Sequence, residues 1–513
     1  MIPKATSTKR AEATLLAVSA FDSAANAATA VAAAAAAEAR VVARMGATLT
    51  LQRQAQLEQG PPSAEMRVDR IDRTIALLVD HQRELCDALA ADYAVRSAAQ
   101  TLAVDVVSAI EGLKHAKRHL REWMRPRRVS PNFPLGWLGA RAHIHAQPLG
   151  VVGNIVPWNF PIYLAFGPLA GIFAAGNRGM MKLSEFVPHL SALVERLIAS
   201  SFDEAELVAF QGGAEVGAAF AALPFDHLFF TGSPAVARKV MRAAAENLTP
   251  VTLELGGKSP VVLGASADLA HAARRIAWGK LLNSGQVCLA PDYVFVPEER
   301  ASAFIAAFQS AVADMYPTLA ANPDFTAMIN ESQQRRVQSY VEDARKRGVR
   351  MIEVNPASED FQAQGARKLM PAILLDPGDE CLVMQNEIFG PLLPVKTYRA
   401  IREVIDYVNA HPRPLALYYF GEDRGEAARV LEATTSGGAC VNEVIVHAMQ
   451  ENLPFGGCGN SGMGAYHGEQ GFRTFSHGKS VYSAGPRGID PLFFMRPPYG
   501  RALERVLGYL VRK

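Results

Sequence analysis

The chain has no charge bias to speak of: 52 basic residues stand against 50 acidic ones, for a net charge of +2 over 513 residues. That balance gives no electrostatic case for nucleic acid or an anionic membrane as the main partner. Cysteine is scarce. Cys86, Cys288, Cys381, Cys440 and Cys458 are odd in number, scattered and without a CxxC pair. A disulfide framework and a zinc site are therefore not expected, and no metal is. Free thiols of this kind suit a reducing cytoplasm. No stretch holds the ~20 strongly apolar residues of a membrane span. The alanine-rich segment 11–45 carries Asp22, Glu38 and Arg40, and Asp22 interrupts any signal-peptide core. The terminal "ALERVLGYLVRK" is short and amphipathic, and is expected as a docked helix rather than an anchor.

What is present reads as an ordinary soluble protein, 49% hydrophobic and 20% charged. The length exceeds one compact core, so two or more domains are expected. Residues 1–55, with the run Ala32–Ala37, are expected as a disordered or loosely helical extension. A helix begins after "GPPSAEM", where Val68, Ile71, Ile75, Leu78, Leu85 and Leu89 form a stripe. Another covers 105–123, and the prolines of "MRPRRVSPNFP" end it. "RAHIHAQP" (141–148) alternates and reads as an exposed strand.

From residue 149 the pattern changes to strand and helix in alternation. "LGVVGNIVPW" is an apolar β-branched run, and "RGMMKLSE" and "HLFFTGS" read as strands, with "PIYLAFGPLAGIFAAGN", "HLSALVERLIAS" (followed by "AELVAFQGG") and "PAVARKVMRAAAEN" as helices. A second such stretch starts near "PVTLELGGKSPVVL". This alternation predicts an α/β fold with parallel, doubly wound sheets.

A GxGxxG match at Gly457, Gly459 and Gly462 lacks the preceding strand and following helix of a dinucleotide fingerprint, so a tight loop is the better reading. "FFTGSP" (229–234) is stronger. A strand ends, Gly232 turns, and a helix begins whose free N–H groups suit a pyrophosphate. In "MKLSE", Lys182 and Glu185 lie at the carboxyl end of a buried strand, where switch-point ligands bind. Each alone has an ordinary structural explanation.

"NSGQVCLAP" (283–291) places Cys288 after a Gly-Gln pair. A lone cysteine is more often a small core residue than a catalyst. "LELGGKSP", however, puts Glu254 at the end of an apolar run before a Gly-Gly turn. A carboxylate in such surroundings has a raised pKa and can act as a general base. Asn159, between Trp158 and Phe160 in "PWNFP", is a candidate oxyanion donor. Thiol, carboxylate, amide and dinucleotide platform together make a coherent site for oxidising an aldehyde. His447 and His467, like Cys440 and Glu443, are expected to be architectural.

Over residues 60–500 the chain resembles the aldehyde dehydrogenase superfamily. The matching stretches are "PWNFP", "AAGNRGMMKLSE", "FFTGS", "LELGGKSP", "NSGQVCLAP", "NEIFGP" and "NLPFGGCGNSGMGAYHG". Within it, "CLAPDY", the ending "GNSGMGAYHGEQGFRTFSH" and the tail "PPYG" look like the class 3 branch, and most like the bacterial coniferyl-aldehyde dehydrogenases. The resemblance implies Cys288 as nucleophile, Glu254 as general base, and Asn159 with the Cys288 N–H as oxyanion hole. It implies cofactor contacts at Trp158, at Lys182 and Glu185 (adenine ribose), at Gly232 and Ser233 (pyrophosphate), and at Glu387 and Phe389 (nicotinamide ribose and ring).

The implied fold is a Rossmann-like cofactor domain, an α/β catalytic domain and a β-hairpin oligomerisation arm. Residues 56–253 would form the NAD-binding domain, with 125–148 contributing to the arm. Residues 254–437 would be catalytic, and 438–513 would return to the cofactor domain, arm and tail. The implied activity is NAD-dependent oxidation of an aldehyde, with NADP possible, in a cytoplasmic homodimer. The implied substrate is aromatic, of hydroxycinnamaldehyde type, with medium- or long-chain aliphatic aldehydes as the alternative. A CoA-acylating enzyme is disfavoured by Glu254, and a catalytically silent relative by Cys288 and Glu254. Two departures stand out: Leu183 replaces the family's usual proline, expected to loosen the ribose site, and Ala237 replaces its usual glycine.

Overall fold

The structure, a computed structural model, describes residues 35–133, 135–361, 365–486 and 495–512. Two large sheets organise it. The first has six strands in the order Gly462–Met463, Val251–Leu255, His227–Gly232, Val151–Ile155, Arg178–Lys182 and Leu207–Phe210. All pairings are parallel except that of Gly462–Met463 with Val251–Leu255. These strands are apolar on both faces because helices cover both faces. Met180 and Met181 point to opposite sides, and both are fully buried. The helix Pro161–Ala175 begins on a proline at its first turn and ends at Gly176, whose φ of 89° closes it in the left-handed form.

The second sheet has seven strands in the order Met351–Glu353, Ala372–Leu375, Leu392–Tyr398, Tyr293–Pro297, Pro260–Leu263, Ala416–Phe420 and Gly438–Val441. It is parallel apart from the edge strand Met351–Glu353. The chain passes between the sheets twice. Val251–Leu255 belongs to the first sheet and Pro260–Leu263 to the second, so the crossing lies at 256–259, just after Glu254. Gly438–Val441 still pairs in the second sheet, so the return comes after Val441.

A third, antiparallel sheet joins Arg127–Val129, Arg141–Pro148 and Ser476–Ser483. "RAHIHAQP" is thus a strand, and it pairs along its length with the segment containing "GKSVYS".

The sequence pattern misled at both ends. Of the two alternatives expected, disordered or loosely helical, residues 35–59 take the helical one, and the helix is packed rather than loose. Met45 and Leu49, one turn apart, pack with Val208 and Phe210. The buried Gln52 amide donates to the carbonyls of Gly179 (3.1 Å) and Glu204 (3.0 Å). The alanine run hid this short apolar face. The rest of the 1–55 expectation, residues 1–34, lies outside the described residues. At the other end the helix Arg501–Leu510 forms, but none of its residues is buried, and Tyr509 and Leu510 stay exposed. Among the described residues, the expected docking is not seen. The helix expected at 105–123 runs over Val107–Trp123 and is preceded by a π-helical turn, Leu102–Val106.

Candidate active site

Cys288 lies just beyond a turn in which three consecutive residues adopt left-handed backbone: Asn283 (φ 50°), Ser284 (φ 55°) and Gly285 (φ 76°). Two of these are not glycine and carry a cost on the order of 1–2 kcal/mol each. Hydrogen bonds hold the turn in that form. Ser284 Oγ donates to Thr326 O (2.7 Å), and Gln286 Nε2 donates to Asn283 O (2.9 Å) and Ala327 O (3.1 Å). Gln286 Oε1 accepts from the Ile329 N–H at 3.0 Å. Gly285 has no room for a side chain, since a Cβ there would lie 2.4 Å from Gly390 O.

The Cys288 thiol is only partly exposed. Burial pushes its pKa up to about 12, and the charges of Glu387 and Glu254 add to the shift. The N–H groups of Cys288 and Leu289 act in the opposite sense, by stabilising the thiolate. Glu254 lies in Val251–Leu255, opposite Thr231 on one side and Gly462 on the other. It is 3% exposed, and neither carboxylate oxygen has a hydrogen-bond partner. Burial raises its pKa well above the usual carboxylate range. Asn159 is buried in the loop between Val151–Ile155 and Pro161–Ala175, and its amide donates to Gln286 O at 3.3 Å. An amide has two donors, so the second N–H is not used by that bond.

The expected cofactor residues lie at the carboxyl ends of the first sheet and on a loop from the second. Lys182 ends the strand Arg178–Lys182 and pairs with Glu185 at 2.9 Å. Leu183 does not loosen this end: it is buried, and its N–H, which a proline would lack, donates to Phe210 O at 2.9 Å. Gly232 ends its strand, and Ser233 caps the helix Pro234–Ala245 by accepting from the Val236 N–H. Ala237 packs into the core with Phe230 and Val240.

Glu387 lies against Gly256, where a Cβ would come within 2.1 Å of its carboxylate. Burial raises Glu387 to about 8, the charge of Asp292 adds to this, and the Gly257 N–H and the Arg336 and Lys258 charges oppose it. Its Oε1 is buried without a partner. Phe389 has φ 47° and stands edge-on to Trp158, ring centroids 5.4 Å apart. A ribose hydroxyl donor fits the free Glu387 oxygen, and a carboxylate and an ammonium at a strand end fit a second ribose, so the residues present suit a dinucleotide.

Sequence reasoning missed several supports. Arg336 donates to the carbonyls of Ile388 (3.0 Å) and Phe389 (3.2 Å), and Asp292 accepts from the Ile388 N–H at 2.9 Å. Arg96 and Asp105, buried beside Asn159, carried no signal in the sequence. Asn283 sat inside a quoted motif but had no partner to point to. His467 is buried and His447 half-buried. His467 Nε2 meets the Tyr163 hydroxyl at 2.7 Å, and His447 Nδ1 meets Cys440 Sγ at 3.1 Å. Burial lowers His467 to about 3 and His447 to about 4. Among the described residues, no group of three or more His, Cys, Asp or Glu side chains is placed to hold a metal ion, and no helix is long and apolar enough to cross a membrane.

The model of the aldehyde dehydrogenase family matches residues 11–481. A protein of Caulobacter vibrioides named a probable coniferyl aldehyde dehydrogenase is 54% identical, over 91% of this chain and 97% of its own. The coniferyl aldehyde dehydrogenase of Pseudomonas sp. strain HR199 is 52% identical, over 91% of this chain and 96% of its own. Among solved structures, a substrate-bound AldH of Staphylococcus aureus superposes with a TM-score of 0.84 at 32% identity, over 90% of this chain and 98% of that one. An aldehyde dehydrogenase of Mycobacterium tuberculosis complexed with NAD+ gives a TM-score of 0.76 at 26% identity, over 88% and 91%. Matched by the family along most of its length, and more than half identical to two proteins that carry the enzyme's name, the chain belongs to the aldehyde dehydrogenase family, oxidoreductases that act on aldehydes.

Proposed function

We propose that the protein oxidises an aromatic aldehyde of the hydroxycinnamaldehyde type to its carboxylic acid, with Cys288 as nucleophile, Asn159 as oxyanion donor and Glu254 as general base. The observation that carries the reading is Glu254: a buried carboxylate with both oxygens unbonded, close enough to Cys288 for its charge to help raise the thiol's pKa. The Cys288 thiol gives its proton to water, and the sulfur adds to the aldehyde carbon, forming a C–S bond as the carbonyl π pair moves onto oxygen. The free N–H of Asn159 and the Cys288 N–H hold the resulting oxyanion. Loss of hydride from this thiohemiacetal leaves a thioester on Cys288. Glu254 takes a proton from water, the hydroxide adds, the C–S bond breaks and the acid departs.

NAD+, when bound, supplies the hydride acceptor. Lys182, Glu185, Gly232, Ser233, Trp158, Glu387 and Phe389 would hold it, with the first sheet as the cofactor domain. The M. tuberculosis relative complexed with NAD+ supports that choice, and NADP+ is the alternative cofactor. The two relatives named for coniferyl aldehyde support the substrate class. The largely exposed three-stranded sheet supports an arm between subunits, hence a homodimer, which light scattering would measure. Five cysteines free of disulfides suit a cytoplasmic enzyme.

The deciding experiment gives purified protein and NAD+ a panel of 4-hydroxycinnamaldehydes, hexanal and decanal, with and without CoA. Acid is the expected product whether or not CoA is present, with kcat/KM at least about tenfold higher for the aromatic aldehydes, a gap of ~1.4 kcal/mol. An equal or greater value for the alkanals supports the aliphatic reading, and an acyl-CoA product overturns hydrolysis by Glu254.

A further inference from the structure

We infer that the buried pair Arg96–Asp105 positions the oxyanion donor and the cysteine turn, acting through Asn283 and the main chain of Asn159. The inference rests on the roles proposed above for Asn159 and Cys288.

Both side chains of the pair are fully buried, with Arg96 Nη2 donating to Asp105 Oδ2 at 2.6 Å. Three further donors of Arg96 reach neighbours of the site. Nη1 donates to Asn159 O (2.8 Å) and to Asn283 Oδ1 (3.1 Å), and Nε donates to Thr101 Oγ1 (3.2 Å). Asn283 Nδ2 in turn donates to Asn159 O (3.1 Å) and Gln286 O (3.2 Å). Gln286 O is also the acceptor for the Asn159 amide. Asn159 O thus takes donors from the Arg96 guanidinium and the Asn283 amide, and Gln286 O takes them from the Asn283 and Asn159 amides.

The other oxygen of Asp105 accepts from the Tyr163 N–H at 3.0 Å, in the first turn of the helix that begins just after Asn159. The guanidinium also lies over the rings of Tyr93 (4.8 Å) and Phe160 (5.3 Å). Asp105 reaches this place from a single π-helical turn. One residue inserted in a helix rotates the side chains beyond it by roughly 100°, and such insertions are frequent at functional sites.

Stability alone is a weak reason for this arrangement. Apolar residues of similar volume commonly do as well as a buried ion pair or better. A rigid, planar fork that fixes four acceptors at once is a positioning part, and lysine cannot reproduce it. The turn it braces holds Asn283 and Ser284 in left-handed conformations that need external support. A displacement near 1 Å at such a site can cost about a hundredfold in rate.

The test compares Arg96→Lys and Asn283→Asp with Asn159→Ala, and combines each with it. Asn283→Asp keeps the acceptor for Arg96, removes the two donated bonds and tolerates positive φ. It carries the test if Arg96→Lys does not fold. Two rates are read: the NADH burst, and the burst of 4-nitrophenol from 4-nitrophenyl acetate without cofactor, an acylation step that needs the thiol and the oxyanion hole but no water activation by Glu254. Asn159→Ala is expected to lose about 10²–10³ in both. Arg96→Lys and Asn283→Asp are each expected to lose roughly tenfold to a hundredfold, with KM for NAD+ unchanged. The double variants should be no slower than Asn159→Ala, because the support acts through the residue already removed. Wild-type rates in both single variants, or losses that multiply in the doubles, overturn the inference. Full activity of Asn159→Ala instead overturns the oxyanion role on which it rests.

Discussion

The Asn159 amide and the Gln286 carbonyl meet across 3.3 Å, which ties the loop after Val151–Ile155 to the turn that carries Cys288. The bond places a donor from the first sheet's loop two residues before the nucleophile. Donor and nucleophile therefore keep their mutual geometry as long as that turn does. In the proposed mechanism, the second Asn159 N–H would then be placed to hold the alkoxide formed when the Cys288 sulfur adds to the aldehyde.

Cys288→Ser is expected to lower kcat to below a few per cent of wild type without lowering the thermal midpoint. Burial already holds the thiol near 12, and a serine hydroxyl ionises far less readily still. Steady-state rates and a melting curve decide it. A folded serine variant that keeps substantial turnover would remove Cys288 as nucleophile.

Glu254→Gln separates the two half-reactions. Acylation needs the thiol and a hydride acceptor, and deacylation needs the base. A burst of about one NADH per active site is expected in stopped-flow, then turnover reduced on the order of 10²–10⁴. An unchanged steady state takes Glu254 out of the mechanism. Loss of the burst as well shows that this carboxylate also takes the thiol proton, a task suited to its raised pKa.

Glu185 should select the cofactor. Its carboxylate sits 2.9 Å from the Lys182 ammonium with its own side chain 41% exposed. A 2′-phosphate nearby would meet a like charge at a cost of about a kcal/mol or more. NAD+ should be preferred over NADP+ by roughly tenfold in kcat/KM, and Glu185→Gln should shrink that ratio. The backbone bond from Leu183 to Phe210 keeps the strand end in place without a proline. Equal use of both cofactors by wild type, or a ratio that Glu185→Gln leaves untouched, sinks the assignment.

Glu387 makes cofactor binding depend on pH. Burial holds its pKa near 8, with Asp292 raising it and Lys258 and Arg336 opposing; Lys280 is the other charged group that feels it. Below pH 8 the free protein carries the neutral acid, a poorer acceptor for ribose hydroxyls than the carboxylate. The dissociation constant for NAD+, read by fluorescence titration, should therefore fall as pH rises from about 7 to about 9. The slope should vanish in Glu387→Gln. A pH-independent constant in wild type, or the same slope in the variant, would falsify the role of Glu387.

The sequence by itself determined the elements that local pattern controls. Apolar β-branched runs such as "LGVVGNIV", alternating with helical stripes, made the parallel sheets readable, because strands buried on both faces must be continuously apolar. The motifs around Cys288, Glu254 and Asn159 pointed to a site only in combination and through the family resemblance, because each alone has an ordinary structural explanation. Tertiary structure decided the rest. Whether residues 35–59 pack depended on a surface near Phe210 that no local window contains. The terminal amphipathic helix gave no sign that the described residues offer it nothing to cover. Arg96 and Asn283 stand 187 positions apart. Hydrogen bonds at that separation leave no periodicity to detect, since only the closing of two sheets over one loop brings donor and acceptor together.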